Sequence, residues 1–378
     1  MIKQTFFSLL AVVLYCISLG AEPNGAVLYR NGKRLGYHKV SPTAEHHYFG
    51  YLEGPAWENK YSAFRYYIDK DDRNAIDIIG KYKEEAILQY FVDTTVDEHA
   101  GWPWGTDIFK INSSAGLGSF RLFANNSWLN PQLPENLDSL VVTILDSSVQ
   151  TPSVQIGYHG WNIGSGNKVT VLWKISTAIS ERPTRCELSI TGNYTGKVVI
   201  AMTNHRDNTG NPNRSSVQLI QDQDPPLLAS LGRQGGLQEG FADSLLLAVF
   251  AEKSYFDSFV NDGTVNYGMV LKPDADKKVR WSFAYSWARE ANPLFRSNNW
   301  KQQLTGATRL SGDAKNIGVS ARRGGEISTN GSTRECFSLA GRSIGTQKSV
   351  LATDHRPMTG LLVVRDQGKR ARVILNGR

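Results

Sequence analysis

Between Tyr61 and Asp107 the sequence concentrates charged and aromatic side chains of the types that bind a polar ligand and exchange protons with it. Tyr61 to Asp69 alternates, so Phe64, Tyr66 and Ile68 fall on one face of a strand and Arg65, Tyr67 and Asp69 on the other. Arg73 to Lys81 follows the turn signal Lys70-Asp71-Asp72, and the two runs read as a hairpin. In the second run Ile76 and Ile78 share one face, while Arg73, Asp77 and Lys81 share the other. The hairpin therefore gathers Arg65, Tyr67, Asp77 and Lys81 on one charged, aromatic face. Residue types alone leave two readings of that face open: a solvated surface of weak cross-strand ion pairs, or a binding surface. The stretch Asp97 to Asp107 follows, with His99, Trp102, Pro103 and Trp104. Two tryptophans with glycine and proline indicate an ordered loop, because disordered segments avoid tryptophan. Tryptophan and tyrosine rings stack on sugars, and arginine grips carboxylate or sulfate in a forked geometry. Histidine exchanges protons near neutral pH.

Short strands must position these groups. Candidates are Ala26 to Tyr29, Leu35 to Val40, His46 to Leu52, Ala86 to Val92, Ser119 to Phe123, Leu140 to Leu145 and Val154 to His159. Further candidates are Val169 to Ile175, Arg185 to Ile190, Val198 to Met202, Ser244 to Ala251, Val265 to Leu271 and Val279 to Trp287. Asn204 to Glu239 is polar and reads as a long loop; no long amphipathic helix is evident and no internal repeat. Many short strands at this spacing predict an all-β sandwich or barrel. His46 and His47 are adjacent, so on a strand they face opposite sides and do not make a metal pair.

The net charge of +7 belongs to one end. Residues 301–378 hold 14 Lys/Arg and 5 Asp/Glu, a balance of +9, whereas the first 300 hold 28 and 30, a balance of −2. Of 39 aromatic residues only Phe337 lies beyond residue 300. Residues 299–378 therefore read as a basic, aromatic-poor tail of uncertain order, and the charge gives no reason to expect a nucleic-acid partner for the main domain, 22–298. The start, Met-Ile-Lys, then an apolar run to Leu19 and small residues to Ala21, reads as a secretory signal peptide over 1–21. A secreted or periplasmic protein is expected, with no later membrane span. Cys186 and Cys336 are the cysteines after that segment; two cysteines make neither a disulfide framework nor a zinc pattern.

The sequence contains no GxSxG elbow, no P-loop and no HExxH helix, and its seven histidines are scattered. Gly116-Leu117-Gly118 follows no βαβ pattern, so no dinucleotide cofactor, and no metal, is expected.

Several motifs in order resemble an exported bacterial family, the domain-of-unknown-function family numbered 4861, common beside polysaccharide-degrading enzymes. They are Glu53-Gly54-Pro55-Ala56-Trp57-Glu58, Phe64-Arg65-Tyr66-Tyr67-Ile68-Asp69 and Arg73-Asn74-Ala75-Ile76-Asp77-Ile78-Ile79-Gly80-Lys81. His99 with Trp104-Gly105-x-Asp107, Lys110, Gly116-Leu117-Gly118 and His205 just past a strand end also fit. The family usually has a second glycine at Ala56 and a glutamate at Ala100, so any role of that acid is lost or moved here. The resemblance covers roughly residues 25–295. It implies a large β-sandwich, similar to the supersandwich of galactose mutarotases and polysaccharide lyases. Some members resemble dehydratases acting on uronic-acid oligosaccharides, as in ulvan breakdown.

The implied chemistry is β-elimination on an acidic oligosaccharide. A base takes the C5 proton, a cation neutralises the neighbouring carboxylate, and an acid protonates the departing C4 oxygen. By the resemblance His99 or His205 is the base, Arg65 or Lys81 holds the carboxylate, and Tyr67 is the acid. Trp57, Glu58, Asp77, Trp102, Trp104 and Asp107 complete the substrate-binding set. The rival readings are a non-catalytic glycan-binding protein, a mutarotase-like epimerase, and a glycoside hydrolase drawing on Glu53, Glu58, Asp77 and Asp107. Oligomeric state is not legible.

Overall fold

The computed structural model describes residues 25–30, 32–40, 52–68, 74–92, 101–124, 127–132, 135–205, 217–235, 242–263 and 265–313, and four strands beyond them. The proposed leader, His46, His47, Asp69, Arg73 and His99 lie outside the described residues. Residues up to Arg309 form one compact unit and Leu310–Arg378 a second.

In the first unit the strands are β1 (Ala26–Arg30), β2 (Lys33–Arg34), β3 (Tyr37–Val40), β4 (Pro55–Glu58), β5 (Ala63–Tyr66), β6 (Ile76–Lys81) and β7 (Gly105–Asp107). Then come β8 (Leu117–Ala124), β9 (Ser127–Leu129), β10 (Ser139–Asp146), β11 (Ser153–Asn162), β12 (Lys168–Ser176), β13 (Thr184–Thr191) and β14 (Lys197–Thr203). The last are β15 (Gln218–Gln223), β16 (Pro226–Gly235), β17 (Ala242–Ala251), β18 (Phe256–Asn261), β19 (Asn266–Leu271) and β20 (Lys278–Trp287).

They build three antiparallel sheets: a six-stranded sheet β2-β1-β4-β5-β6-β7, a five-stranded sheet β18-β19-β14-β8-β9, and a nine-stranded sheet β15-β16-β17-β20-β13-β12-β11-β10-β3. A parallel bridge from Ile76 to Gly116 joins the six- and five-stranded sheets at their seam. Gly116 has φ +70, and a β-carbon there would meet the Ile76 carbonyl oxygen at 1.8 Å, so only glycine fits this join. One apolar core lies between these two sheets and the nine-stranded one. It draws Trp57, Phe64 and Tyr66 from the first, Phe120 and Ile200 from the second, and Trp173, Phe283 and Tyr285 from the third. Edge-to-face pairs lock it, with ring centroids 5.2 Å apart for Phe64 and Phe283 and 5.3 Å for Tyr66 and Trp173. Each such pair contributes roughly 0.5–1.5 kcal/mol beyond its buried area. The all-β sandwich expected from the strand spacing is the architecture found.

Three local expectations are corrected. Ala86 to Val92 is not a strand: Leu88–Val92 is a 3-10 turn. Leu88 and Phe91, three apart, are on its inner side, the period a 3-10 turn needs. Asn204 to Glu239 is not one loop, because β15 and β16 occupy its second half and form an edge hairpin turning at Asp224-Pro225. Their glutamines and Pro226 disguise the alternation: Leu228 and Ser230 face inward, Leu227 and Ala229 outward. A helix absent from the sequence reading, α1 (Trp300–Asp313), begins inside the supposed tail. Leu304 is buried against Leu227, Leu246 and Leu294 on the outer face of the nine-stranded sheet, with Trp300 packed beside it. The spacing of four between Trp300 and Leu304 supplies the helical face. The first unit thus continues past residue 298.

The second unit contains β21 (Arg334–Phe337), β22 (Ser343–Gln347), β23 (Leu361–Arg365) and β24 (Arg372–Leu375), in the antiparallel order β22-β21-β23-β24. Of these the sequence reading had only Leu361 to Arg365. Among the described residues no helix is long and apolar enough to cross a membrane.

Candidate functional site

The hairpin of β5 and β6 forms in the expected register, Arg65 opposite Asp77 and Phe64 opposite Ile78. Arg65, Tyr67, Asp77 and Lys81 do share the outer face of the six-stranded sheet, but that face is neither solvated nor open. A second, smaller core covers it, in which Ile87, Leu88, Phe91 and Trp104 pack on Val27, Ala56, Ala63 and Ile79. The segment from Tyr82 to Trp104 contributes those covering residues, and the charged groups lie buried in two clusters beside the apolar middle.

In the first cluster the Arg65 guanidinium donates from Nε (3.1 Å) and Nη2 (2.8 Å) to Oδ2 of Asp77. Its Nη2 also reaches Oδ2 of Asp107 at 3.0 Å. The Tyr67 hydroxyl donates to the same Asp77 oxygen at 2.7 Å, and its ring lies under the Arg65 guanidinium at 4.8 Å. Backbone donors hold the other carboxylate oxygens: Ile78 N on Asp77 and Phe109 N on Asp107. Burial, countered by Arg65 and reinforced by Asp77, raises the Tyr67 phenol well above its ordinary range. Tyr67 thus keeps its proton on Asp77.

In the second cluster Lys81 Nζ donates to Glu58 Oε2 and to the Asn59 carbonyl, both at 2.7 Å. Glu58 also accepts from the backbone N–H groups of Ile87 and Leu88 at 2.9 to 3.0 Å. Burial pushes the Glu58 carboxyl above its usual range, and Lys81 with the two backbone donors pulls it back only in part. Burial likewise lowers Lys81 against the pull of Glu58. Glu58 and Lys81, expected to contact substrate, instead pin the Leu88–Val92 turn to the sheet.

Trp57 is turned the other way from the charged face. It is fully buried in the main core, stacks on Phe64 at 5.8 Å and donates Nε1 to Thr184 Oγ1 at 3.4 Å. Its place on β4, between Ala56 and Glu58, makes this unavoidable, since neighbours on a strand face opposite ways. It has no face left for a sugar.

His205 follows β14 and is buried between the layers. Its Nε2 meets Ser230 Oγ at 3.0 Å, and among the described residues Nδ1 has no partner. Burial, against a hydrogen bond with Ser230, lowers its pKa from 6.5 to about 4. The imidazole is therefore neutral at physiological pH and chemically able to take a proton. The folded-state pKa lies below the unfolded value, so the unfolded chain binds a proton first on acidification. Stability is present above pH 6.5 and drains away as pH falls toward 4, by up to about 3 kcal/mol. Urea midpoints for His205→Gln are expected to show a shallower fall between pH 7 and pH 4.5 than those of the unaltered chain. Parallel curves would remove this assignment.

Beside these clusters lies a shelf of three near-parallel rings, of which Tyr90 is exposed, Trp102 half-buried and Trp104 buried. Trp104 is stacked between Tyr90 at 6.0 Å and Trp102 at 6.5 Å, with interplanar angles of 13° and 3°. Phe91 props Trp104 edge-on at 5.3 Å. Trp102 and Gly105 exchange backbone hydrogen bonds across a tight turn, and Tyr82 N binds the Trp104 carbonyl. A β-carbon on Gly105 would meet the Gly80 carbonyl oxygen at 1.9 Å, so the turn seats itself on β6 only with glycine there. Tyr90 is 40% exposed and Trp102 half-buried, and with Lys83 and Glu85 they line a groove of about 440 Å³. Flat aromatic area beside a lysine and a glutamate suits a ring with apolar faces and polar edges. The sequence reading had Trp102 and Trp104 but missed Tyr90 and Lys83, because a strand over Ala86 to Val92 sends Tyr90 elsewhere.

The structure thus joins Arg65, Tyr67, Asp77 and Asp107 in one cluster, Glu58 and Lys81 in another, and Trp102 and Trp104 in a third place. His205 bonds to Ser230 and not to any of these. Cys186 is buried with a free thiol. Among the described residues no three His, Cys, Asp or Glu side chains are gathered as a metal site.

No curated protein matches the chain. Among solved structures, it is similar to a protein provisionally described as a kojibiose phosphorylase from human microbiome, at 12% identity and a TM-score of 0.40. That match covers 78% of this chain and 37% of the other, so the chain spans just over a third of that protein. A second likeness is to a protein provisionally described as an aldose 1-epimerase from Klebsiella pneumoniae subsp. pneumoniae MGH 78578. It has 7% identity and a TM-score of 0.34, over 81% of this chain and all of the other. A family model, the domain of unknown function DUF4861, matches residues 18–310. The chain belongs to the DUF4861 family.

Proposed function

We propose that this chain is an exported carbohydrate-active protein that binds a uronic-acid-containing oligosaccharide on the Tyr90–Trp104–Trp102 shelf and acts on it by β-elimination. The shelf carries the reading: three stacked rings, one strongly exposed, with the cation Lys83 on the rim of the same groove. Lys83 takes the carboxylate-neutralising role that Arg65 and Lys81 cannot fill while their donors are held by Asp77, Asp107, Glu58 and Asn59. In the step itself the C5 proton moves to a base, its electron pair becomes the C4–C5 double bond, and the C4–O bond breaks with its oxygen protonated. His99, three residues before Trp102 in sequence, is the proposed base; His205, buried against Ser230, does not line the shelf groove.

Ultraviolet absorbance during incubation with a panel of uronic-acid oligosaccharides tests this, with product masses read from the same tube. A rise with loss of one water identifies a dehydratase, and a rise with chain cleavage a lyase. No absorbance rise in the presence of binding sinks the elimination. The burial of Arg65 and Lys81 favours one rival, a non-catalytic glycan-binding protein using the same shelf. Under that reading ligands bind unchanged and His99→Ala has no effect. Under either, Trp102→Ala is expected to weaken binding about tenfold, the loss of about 1.4 kcal/mol of stacking. Calorimetric titration showing unaltered affinity would remove the shelf from the site.

A further inference from the structure

A second groove, of about 650 Å³, opens where Tyr61 and Arg182 meet the segment Asn292–Ser297 and the first turn of α1. Arg182 is built into it. The guanidinium sits 4.5 Å from the Tyr61 ring centre, pairs with Glu290 at 2.9 Å and donates to the Asn292 carbonyl at 2.6 Å. Lys60 approaches the same ring at 4.6 Å and pairs with Glu84 at 3.1 Å, while Asn292 Nδ2 donates to Glu84 at 2.9 Å. Ser297 and Gln303 add neutral hydrogen-bonding groups to the wall. Glu290 is buried, and among the described residues its Oε2 has no partner. Glu290 also lines a cavity of about 10 Å³ with Lys60, Lys81, Lys83, Arg182 and Glu84, room for about one water.

The wall residues connect this groove to the aromatic shelf. Lys83 borders both the shelf groove and the small cavity, and Glu84 borders both the small cavity and the second groove. The join between the two grooves is therefore the backbone step from Lys83 to Glu84. Around it Lys60 is paired with Glu84, Arg182 with Glu290 and Lys81 with Glu58, so Lys83 carries the net positive charge of the join.

From this we infer that the two grooves are one track, along which an acidic oligosaccharide of several units lies. One sugar ring packs on the shelf, an acidic group sits over the Lys60–Lys83 join, and later units fill the Tyr61–Arg182 groove. This rests on the shelf being a carbohydrate site, and adds that the ligand is a chain longer than a disaccharide. Together the two grooves exceed the roughly 300–1,000 Å³ of a single small-ligand site, which suits a ligand of several units.

The test is a size series of glucuronate, galacturonate and mannuronate oligomers of two, four and six units, titrated calorimetrically against the full chain. Ser297→Trp fills the second groove without touching Arg182 or its partners, and Arg296→Glu adds an acid to its rim. Hexamer is expected to bind at least tenfold more tightly than dimer. Ser297→Trp is expected to bring hexamer down to dimer affinity while leaving dimer unchanged; Arg296→Glu lowers hexamer affinity and steepens nothing for dimer. Equal affinities for all lengths, with Trp102→Ala still weakening them, would overturn the track while leaving the shelf in place. Binding of no oligomer would overturn both. A folded variant is verified by its unaltered affinity for dimer, and by an unchanged thermal midpoint.

Discussion

Arg65→Met is expected to cost the protein about 3–5 kcal/mol of stability, the loss usual when one partner of a buried ion pair is removed. The substitution keeps an unbranched apolar stem but leaves the Asp77 and Asp107 carboxylates buried with their common cation gone. Tyr67 and the backbone N–H groups of Ile78 and Phe109 would remain on them, and neutral donors cannot replace a guanidinium between two anions. Arg65→Lys should recover only part of the loss, since an ammonium lacks the planar fork that spans both acids. Urea unfolding followed by tryptophan fluorescence measures this directly. A shift below about 1 kcal/mol would mean that the cluster is not the buried electrostatic unit its geometry describes.

Glu58→Leu has an expected cost at least as large and a second consequence for ligand binding. The variant strands the Lys81 ammonium in a site where it is almost wholly buried, and it removes the acceptor for Ile87 and Leu88. Each unsatisfied buried donor costs about 1–3 kcal/mol on top of the stranded charge. Those two amides lead into the turn that carries Tyr90 and Phe91, so the shelf should lose its alignment although Glu58 touches no ligand. The expected result is a stability loss of at least about 5 kcal/mol together with weakened oligosaccharide affinity at a temperature where the protein is still folded. Lys81→Met separates the two effects. It leaves Glu58 free to hold both amides, so it should lower stability and largely spare affinity. Equal affinity losses in both variants would show that the carboxylate does not position the shelf.

The strands, the hairpin register and the split of faces in β5 and β6 were legible because the alternation within Tyr61 to Asp69 and Arg73 to Lys81 is clean and the turn signal Lys70-Asp71-Asp72 separates them. What covers the charged face was not. Burial of Arg65 and Lys81 depends on Ile87, Leu88, Phe91 and Trp104 folding back over β6, and a single 3-10 turn is too short to mark that contact in the sequence. Trp57 shows the same limit from the other side. Its motif neighbours Glu58 and Arg65 suggested a shared surface, yet strand parity places it in the core, a deduction open to anyone who counts from Ala56. β15 and β16 escaped notice because the edge strand β15 tolerates its glutamines and β16 takes Pro226 only as its first residue, so neither shows a clean alternation. Helix α1 was masked by the change in composition after Trp300, which invited treating everything beyond as tail.

The pinning of the Leu88–Val92 turn by a single carboxylate has a consequence for how the molecule breathes. The β-sheet ladders are held by many bonds in parallel, whereas this turn hangs on Glu58 and a few apolar contacts. Such an element opens as its own small cooperative unit, with a free energy well below that of global unfolding. Its amides should therefore exchange with deuterium ahead of those in β5 and β6 beneath it. Each opening would briefly admit water to the Arg65 cluster without melting the sandwich. The protein would thus have a rapidly renewed outer layer resting on a slow interior, with the boundary between them drawn at one glutamate.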